Sequence, residues 1–361
     1  MEPLMLINAA FWNNKRVFVT GHTGFKGSWL CIWLSMLGAR VTGYALAPPT
    51  KPSLFEMAKV YELVEHFECD IRDFNTLKTA VENADPQIIF HMAAQPLVRE
   101  AYIRPLYTYE TNVIGTANLL EAARTCENLQ AVVVVTSDKC YENQESGRPF
   151  LESDPLGGYD PYSSSKACAE IVAASYRNSF YNGGVCAAIA TARAGNVIGG
   201  GDFAKDRIVP DIIYAWESGK AVALRNPSAI RPWQDVLEPL GGYLLLAQKL
   251  CEDKQWYSQA YNFGPDLKNC REVVELASML CERLHIDWMC DSSTQPHEAG
   301  FLSLDNSKAK KKLGWKPVFT LEETIDYIVK FATVTHKKNY IRSLCEHHIS
   351  LYAGMDSYLN G

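Results

Sequence analysis

Short, almost wholly apolar runs alternate with helix-length segments from residue 16 to about 193, and no other feature constrains the fold as strongly. RVFVT (16–20), ARVTGYAL (39–46), QIIFHMAA (87–94), AVVVVTS (131–137) and CAAIATAR (186–193) read as strands, the fourth being the most apolar. Residues 25–37, 73–83, 108–126 and 161–180 have helical pattern. Strands that are apolar on both faces need cover on both faces. A parallel sheet with crossover helices on each side supplies it. The expected class is α/β, a doubly wound parallel sheet.

After Arg193 the pattern shifts. RAGNVIGGGD (193–202) is glycine-rich and reads as loop, followed by short strands at 221–226 and 260–264 and helices at 236–252 and 271–285. At 361 residues the chain is also longer than one core comfortably serves. The expected organisation is a dinucleotide-binding domain over 14–193 with returning elements at about 230–265. A smaller, discontinuous α/β substrate lobe spans 194–335, and 336–361 is a tail in which no chemistry is legible. The net charge of -6 argues against nucleic acid or an anionic membrane surface as partner. No apolar run is long enough to span a bilayer, and the start lacks a signal-peptide pattern. The 11 cysteines are scattered without a CxxC pair, which fits free thiols in a cytoplasmic enzyme. His347 and His348 beside Glu346 lack the donor spacing of a closed metal site, so no metal is expected.

TGHTGFKG (20–27) follows the first strand and opens the first helix, with Gly21, Gly24 and Gly27 in G-x-x-G-x-x-G spacing. That placement gives a tight turn, close backbone approach to a pyrophosphate and a helix N-terminus for its charge. The loop therefore reads as a Rossmann-type dinucleotide site formed by Gly21, His22, Thr23, Gly24, Phe25, Lys26 and Gly27. An acidic residue about 20 positions on, which would take the ribose hydroxyls, is missing: no Asp or Glu lies between Ser28 and Phe55. Lys26 and His22 could favour an additional phosphate. Asp70 and the Ile71 backbone are candidates for the adenine edge, with a helix cap at Asp73 as the plain alternative.

YSSSK (162–166) sets Tyr162 and Lys166 on one helix face, four residues apart. Tyrosine, with a free pKa of about 10, is a poor base at neutral pH. A lysine cation stabilises its phenolate, so the pair suits removal of a hydroxyl proton. TSDK (136–139) ends the preceding strand, where side chains face the ligand crevice. Ser137 can bond the hydroxyl that Tyr162 deprotonates.

These residues, with Asn112, resemble the extended short-chain dehydrogenase/reductase family over positions 14–335. GHTGFKGSWL (21–30), HMAAQPLVR (91–99), TSDKCY (136–141), GGYDPYS (157–163), RAGNVIGGGD (193–202) and IRPWQ (230–234) are similar to its CDP-glucose 4,6-dehydratase branch, found in bacterial dideoxyhexose synthesis. The resemblance implies NAD as cofactor, CDP-glucose as substrate and a homodimer formed through helices near 107–126 and 162–180, or a tetramer. It implies oxidation at C4, loss of water across C5–C6 and hydride return to C6. Ala93, Ala94, Gln95, Asn112 and Arg193 join the cofactor set. Relatives acting on thymidine nucleotides carry Asp-Glu where this chain has Asp138-Lys139. With family roles kept, Asp138 is the acid at C6 and Lys139 the base at C5.

The substrate should lie between the lobes, touching Gln95, Ser137 and Asn196. Lys205, Arg207, Arg225 and Arg231 are the candidate phosphate ligands, with Arg207 and Arg231 favoured and His297 closing the pocket. Other dehydratases of the family, a 4-epimerase and a non-enzymatic dinucleotide-binding protein are the alternatives. Asp138-Lys139 argues against the epimerase, which needs no acid–base pair at C5 and C6. Joint presence of Ser137, Tyr162 and Lys166 argues against a non-enzymatic role.

Overall fold

The computed structural model describes residues 7–181, 187–291, 299–335 and 340–355. Seven parallel strands form the central sheet: β1 (Arg16–Thr20), β2 (Arg40–Ala45), β3 (Glu65–Glu68), β4 (Ile88–His91), β5 (Ala131–Val135), β6 (Ala188–Ala194) and β7 (Ala260–Phe263). Their order is β7-β6-β5-β4-β1-β2-β3. The order reverses between β1 and β4, where Thr20 pairs with His91. Connections leave in opposite directions there and open a crevice at the carboxyl ends.

Alternate residues of each strand feed two cores. Val17, Val19, Val133 and Val135 face one, covered by α1 (Phe25–Met36), α5 (Leu237–Glu252) and α6 (Ile341–Ala353). Phe18, Ile89, Val132 and Val134 face the other, covered by α2 (Phe74–Ala84), α3 (Gly115–Ala123) and α4 (Pro161–Tyr176). The expected return near 230–265 consists of α5 and the edge strand β7. The expected helix 108–126 is interrupted by a π-helical turn over Glu110–Ile114 before α3, a device often found at functional sites.

A third core lies over the crevice. Helices Ile208–Glu217, Val273–Leu284 and Leu321–Val334 contribute Val209, Ile212, Leu276, Leu280, Ile325 and Ile328. Val222–Leu224 pairs with Trp288–Cys290, and Ile230–Pro232 with Cys270–Glu272. Within the expected loop 193–202, Val197–Ile198 pairs with Gln234–Asp235.

The C-terminal segment is not a loose tail. Ile341, Leu344, Cys345, Ile349 and Tyr352 of α6 are buried in the first core, with Tyr352 edge-on to Trp33 at 5.4 Å. Their spacing is an apolar helical stripe that needed a partner, and α1 is that partner. His348 is buried and its Nε2 lies 2.9 Å from Asp235 Oδ2. Among the described residues no group of three or more His, Cys, Asp or Glu could hold a metal, and no helix is long and apolar enough to cross a membrane.

Candidate active site

The glycine loop turns where β1 ends. Gly21 has φ +74°, and a Cβ there would fall 2.7 Å from the Ala93 backbone nitrogen. A Cβ on Gly27 would meet the Gly21 carbonyl oxygen at 2.2 Å, so both positions exclude a side chain. Gly24 is the N-cap of α1 and supplies no side-chain cap, which leaves first-turn amides for a bound anion. Phe25 packs on Gly199, and Thr23 Oγ1 donates to Leu46 O at 2.8 Å. Across the switch point, Met92 N and Ala93 N both donate to Thr20 Oγ1 at 3.1 Å, with Ala94 following in the same half-buried segment.

Neither charge expected to hold an additional phosphate is placed for it. His22 is buried against Gly43, its Nε2 is 2.7 Å from His66 Nδ1, and burial, then His66, hold its pKa at about 3. It is a neutral packing group. Lys26 Nζ donates to Tyr243 OH at 2.8 Å. Burial, then the charges of Lys166 and Arg207, lower its pKa to about 7, so the ammonium belongs to the cluster at Tyr162 rather than to the ribose end of β2. The Asp70 carboxylate is gripped by Arg72 at 2.7–3.1 Å, while Ile71 is buried and its carbonyl accepts from Asn118. Asp73 caps α2 through Thr76 N, as the plain alternative had it.

Asp160 caps α4, accepting from Ser163 N at 3.0 Å and Ser163 Oγ at 2.5 Å, and Pro161 fixes the first turn. That start orients Tyr162 and Lys166, both buried, toward the end of β5. Lys166 Nζ donates to Val135 O at 3.2 Å. Burial lowers the Lys166 pKa to about 8, with Glu170 acting in the opposite direction. Burial likewise raises Tyr162 to about 12, partly offset by the Ser137 hydroxyl and Arg207. Asn112, from the π-helical turn, accepts from Gln95 N at 2.8 Å and donates to Ser165 Oγ at 2.8 Å, tying α4 to the β4 loop.

Ser137 leaves β5 extended, and its Oγ donates to Asp138 Oδ1 at 3.0 Å. Asp138 is buried, and its Oδ2 has no hydrogen-bond partner among the described residues. A Cβ on Gly195 would sit 2.7 Å from that oxygen. A buried carboxylate oxygen left open is costly unless a ligand completes it. Lys139 is half-buried and, among the described residues, forms no ion pair with Asp138. The arrangement sets Tyr162, Lys166 and Ser137 beside the open Asp138 carboxylate and the Lys139 amine, groups able to carry protons.

Other expected residues are placed differently. Arg193 is buried on the α4 face of the sheet, with NH2 2.8 Å from Glu170 Oε2 and NH1 donating to Tyr141 OH, so its guanidinium is engaged within the protein. The Gln95 side chain is engaged by Leu97 in its own loop and by Thr108 of the helix Pro105–Tyr109. Arg225 pairs with Asp206 and Asp211, and Lys205 is exposed. Arg207 pairs with Asp202 at 2.9 Å and acts electrostatically on Tyr162. Arg231 is buried and donates to Ile230 O, and the Asn196 Oδ1 is buried without a partner among the described residues. His297 lies outside the described residues. Tyr243 and Glu170 went unnoticed in the sequence: Tyr243 arrives from 217 residues beyond Lys26 with no local signal, whereas Glu170 lies on the Lys166 face at i+4 and was findable.

The sequence matches the family described as GDP-mannose 4,6 dehydratase over residues 18–328. It is 51% identical over 334 residues to a CDP-glucose 4,6-dehydratase of Salmonella typhimurium, covering 90% of this chain and 92% of that protein. Among solved structures, an epimerase from Methanothermobacter thermautotrophicus superposes with a TM-score of 0.80 at 21% identity, over 94% of this chain and 98% of that one. A dTDP-glucose 4,6-dehydratase from Bacillus anthracis in complex with NAD gives 0.73 at 21%, over 89% and 97%. At those identities the structural likeness speaks for the fold alone.

Proposed function

This chain belongs to the GDP-mannose 4,6-dehydratase family, and from that premise we propose that it is an NAD-dependent CDP-glucose 4,6-dehydratase. It converts CDP-glucose to CDP-4-keto-6-deoxy-glucose and water. The observation that carries the reading is the open Asp138 carboxylate and Lys139 beside Ser137 and Tyr162 at the end of β5. An oxidation without elimination has no use for those two groups.

The NAD site fits the loop: Gly21 and Gly27 leave room for a pyrophosphate, and the uncapped start of α1 offers amides to it. When bound there, NAD would supply a reversible hydride acceptor. Tyr162, its phenolate favoured by Lys166, takes the C4 hydroxyl proton while Ser137 orients that hydroxyl. The C4 ketone acidifies the C5 proton, which Lys139 removes and gives back to C5 as the hydride reaches C6. Asp138 is assigned as the acid that gives a proton to the departing C6 hydroxyl. Arg207 and Arg231 are assigned to the diphosphate, and Asn196 to the sugar or diphosphate.

The scattered thiols support a cytoplasmic location, and the branch resemblance supports dideoxyhexose synthesis for lipopolysaccharide O-antigen. A homodimer is supported by Ile103, Leu106, Ile114 and Ile171, large apolar residues 53–76% exposed on neighbouring helices. Incubation with CDP-, dTDP-, UDP- and GDP-glucose tests the substrate. The 4-keto product absorbs in alkali, and signal from CDP-glucose above the others is expected. A 4-epimer, or no product from CDP-glucose, contradicts the reading.

A further inference from the structure

Lys166 can favour the Tyr162 phenolate only while it is charged, and its burial works against that charge. The groups facing it come from four elements. Lys26 of the glycine loop is a second cation, itself lowered to about 7. His91 of β4 is held neutral, its pKa lowered to about 3 by burial and then by Lys166. The Cys140 thiol, pushed up by burial, brings no negative charge. Glu170, one turn along α4, is the carboxylate among the described residues that faces Lys166.

Glu170 is itself clamped. Thr136 Oγ1 donates to Oε1 at 2.5 Å, Thr191 Oγ1 to Oε2 at 2.7 Å, and Arg193 NH2 to Oε2 at 2.8 Å. Burial pulls its pKa up, but Arg193 and the threonines outweigh it and leave it lowered, hence charged; Arg177 and Cys140 also face it. Thr136 stands between Val135, whose carbonyl accepts from Lys166, and Ser137. Arg193 is fixed in turn by Tyr141, which donates to Asn262 Oδ1 of β7 at 2.6 Å. One carboxylate of α4 is thus bonded to Thr136, just past the end of β5, and to Thr191 and Arg193 of β6.

We propose that Glu170 is a positioning residue of the reaction: gripped by Arg193, Thr136 and Thr191, its carboxylate keeps Lys166 cationic and holds the strand end that presents Ser137. The proposal rests on Tyr162 and Lys166 being the proton-transfer pair. Without Glu170 the ammonium is lost at lower pH, the phenolate loses its stabilising cation there, and the alkaline limb of activity moves to lower pH.

Glu170→Gln alone strands the buried Arg193 charge and endangers the fold, so the double variant Glu170→Gln/Arg193→Gln is the test, with thermal unfolding verifying that it is folded. The alkaline limb of kcat/KM for 4-keto product is expected to move down by about one pH unit, an about tenfold loss at about pH 9 that vanishes toward pH 6, where Lys166 is charged in both proteins. Glu170→Asp, which keeps the charge, should keep the wild-type limb. A folded double variant with the wild-type profile, or with equal loss at every pH, overturns the proposal. Tyr162→Phe in the same assay separates the two readings: full activity there overturns the proton-transfer pair itself, whereas its loss with an unmoved double variant overturns Glu170 alone.

Discussion

Asp138 and Lys139 are where single residues decide the chemistry. Their neighbours give the testable contrast, because Tyr162 is proposed for the oxidation and Lys139 for the step after it. Tyr162→Phe should lower kcat/KM by about 10²–10⁴, read from the alkaline absorbance of the 4-keto product. Lys139→Ala should leave C4 oxidation measurable but abolish exchange of the C5 hydrogen with deuterated solvent, followed by mass spectrometry. Unchanged exchange would remove Lys139 as the base. Gly195→Ala places a methyl carbon against Asp138 Oδ2 and should cost product formation more than cofactor binding, measured by titration with NAD. At this scale the placing of Tyr162, Lys166 and Ser137 together was legible, because each sits at a fixed offset from a strand end or helix start. The pairing of Arg193 with Glu170 of α4 was not, since the two are 23 residues apart. Local spacing also gave no hint that His22 would be neutralised by burial beside His66.

Among elements, α6 shows most clearly how a helix with no chemistry can secure a site. It packs on α1, whose N-terminus the cofactor needs, and His348 reaches Asp235 just before α5. Leu344→Ala should cost about 2–5 kcal/mol of stability, measured by urea unfolding. Nearby Glu238 is buried, accepts from Val318 N, Phe319 N and Tyr352 OH, and has its pKa raised to about 8 by burial, then by Asp235. The native state therefore keeps a proton that the unfolded chain has released. The stabilisation is full below the ordinary carboxylate range and is lost as pH rises toward 8. The melting temperature of the wild type should fall across pH 5–8 relative to Glu238→Gln, and parallel curves would refute the assignment. The strands β1, β5 and β6 were legible because they are apolar on both faces, whereas the short edge strand β3, EHFE, has no such pattern.

For the molecule as a whole, the apolar patch on the α4 side should join two copies. Leu106→Glu with Ile171→Glu should convert a dimer to a monomer by light scattering, and an unaltered mass would place the interface elsewhere. The doubly wound sheet followed from alternation alone, but the packing of the crevice-covering lobe did not. Its core gathers residues from 198 to 328, so no local window contains it. The central claim is that one crevice oxidises C4, eliminates water and returns the same hydride to C6. Incubation of the protein with NAD and CDP-glucose deuterated at C4, read by NMR, tests this directly. Deuterium recovered at C6 of CDP-4-keto-6-deoxy-glucose is the predicted result. Label remaining at C4, in unreacted sugar or its 4-epimer, would contradict it.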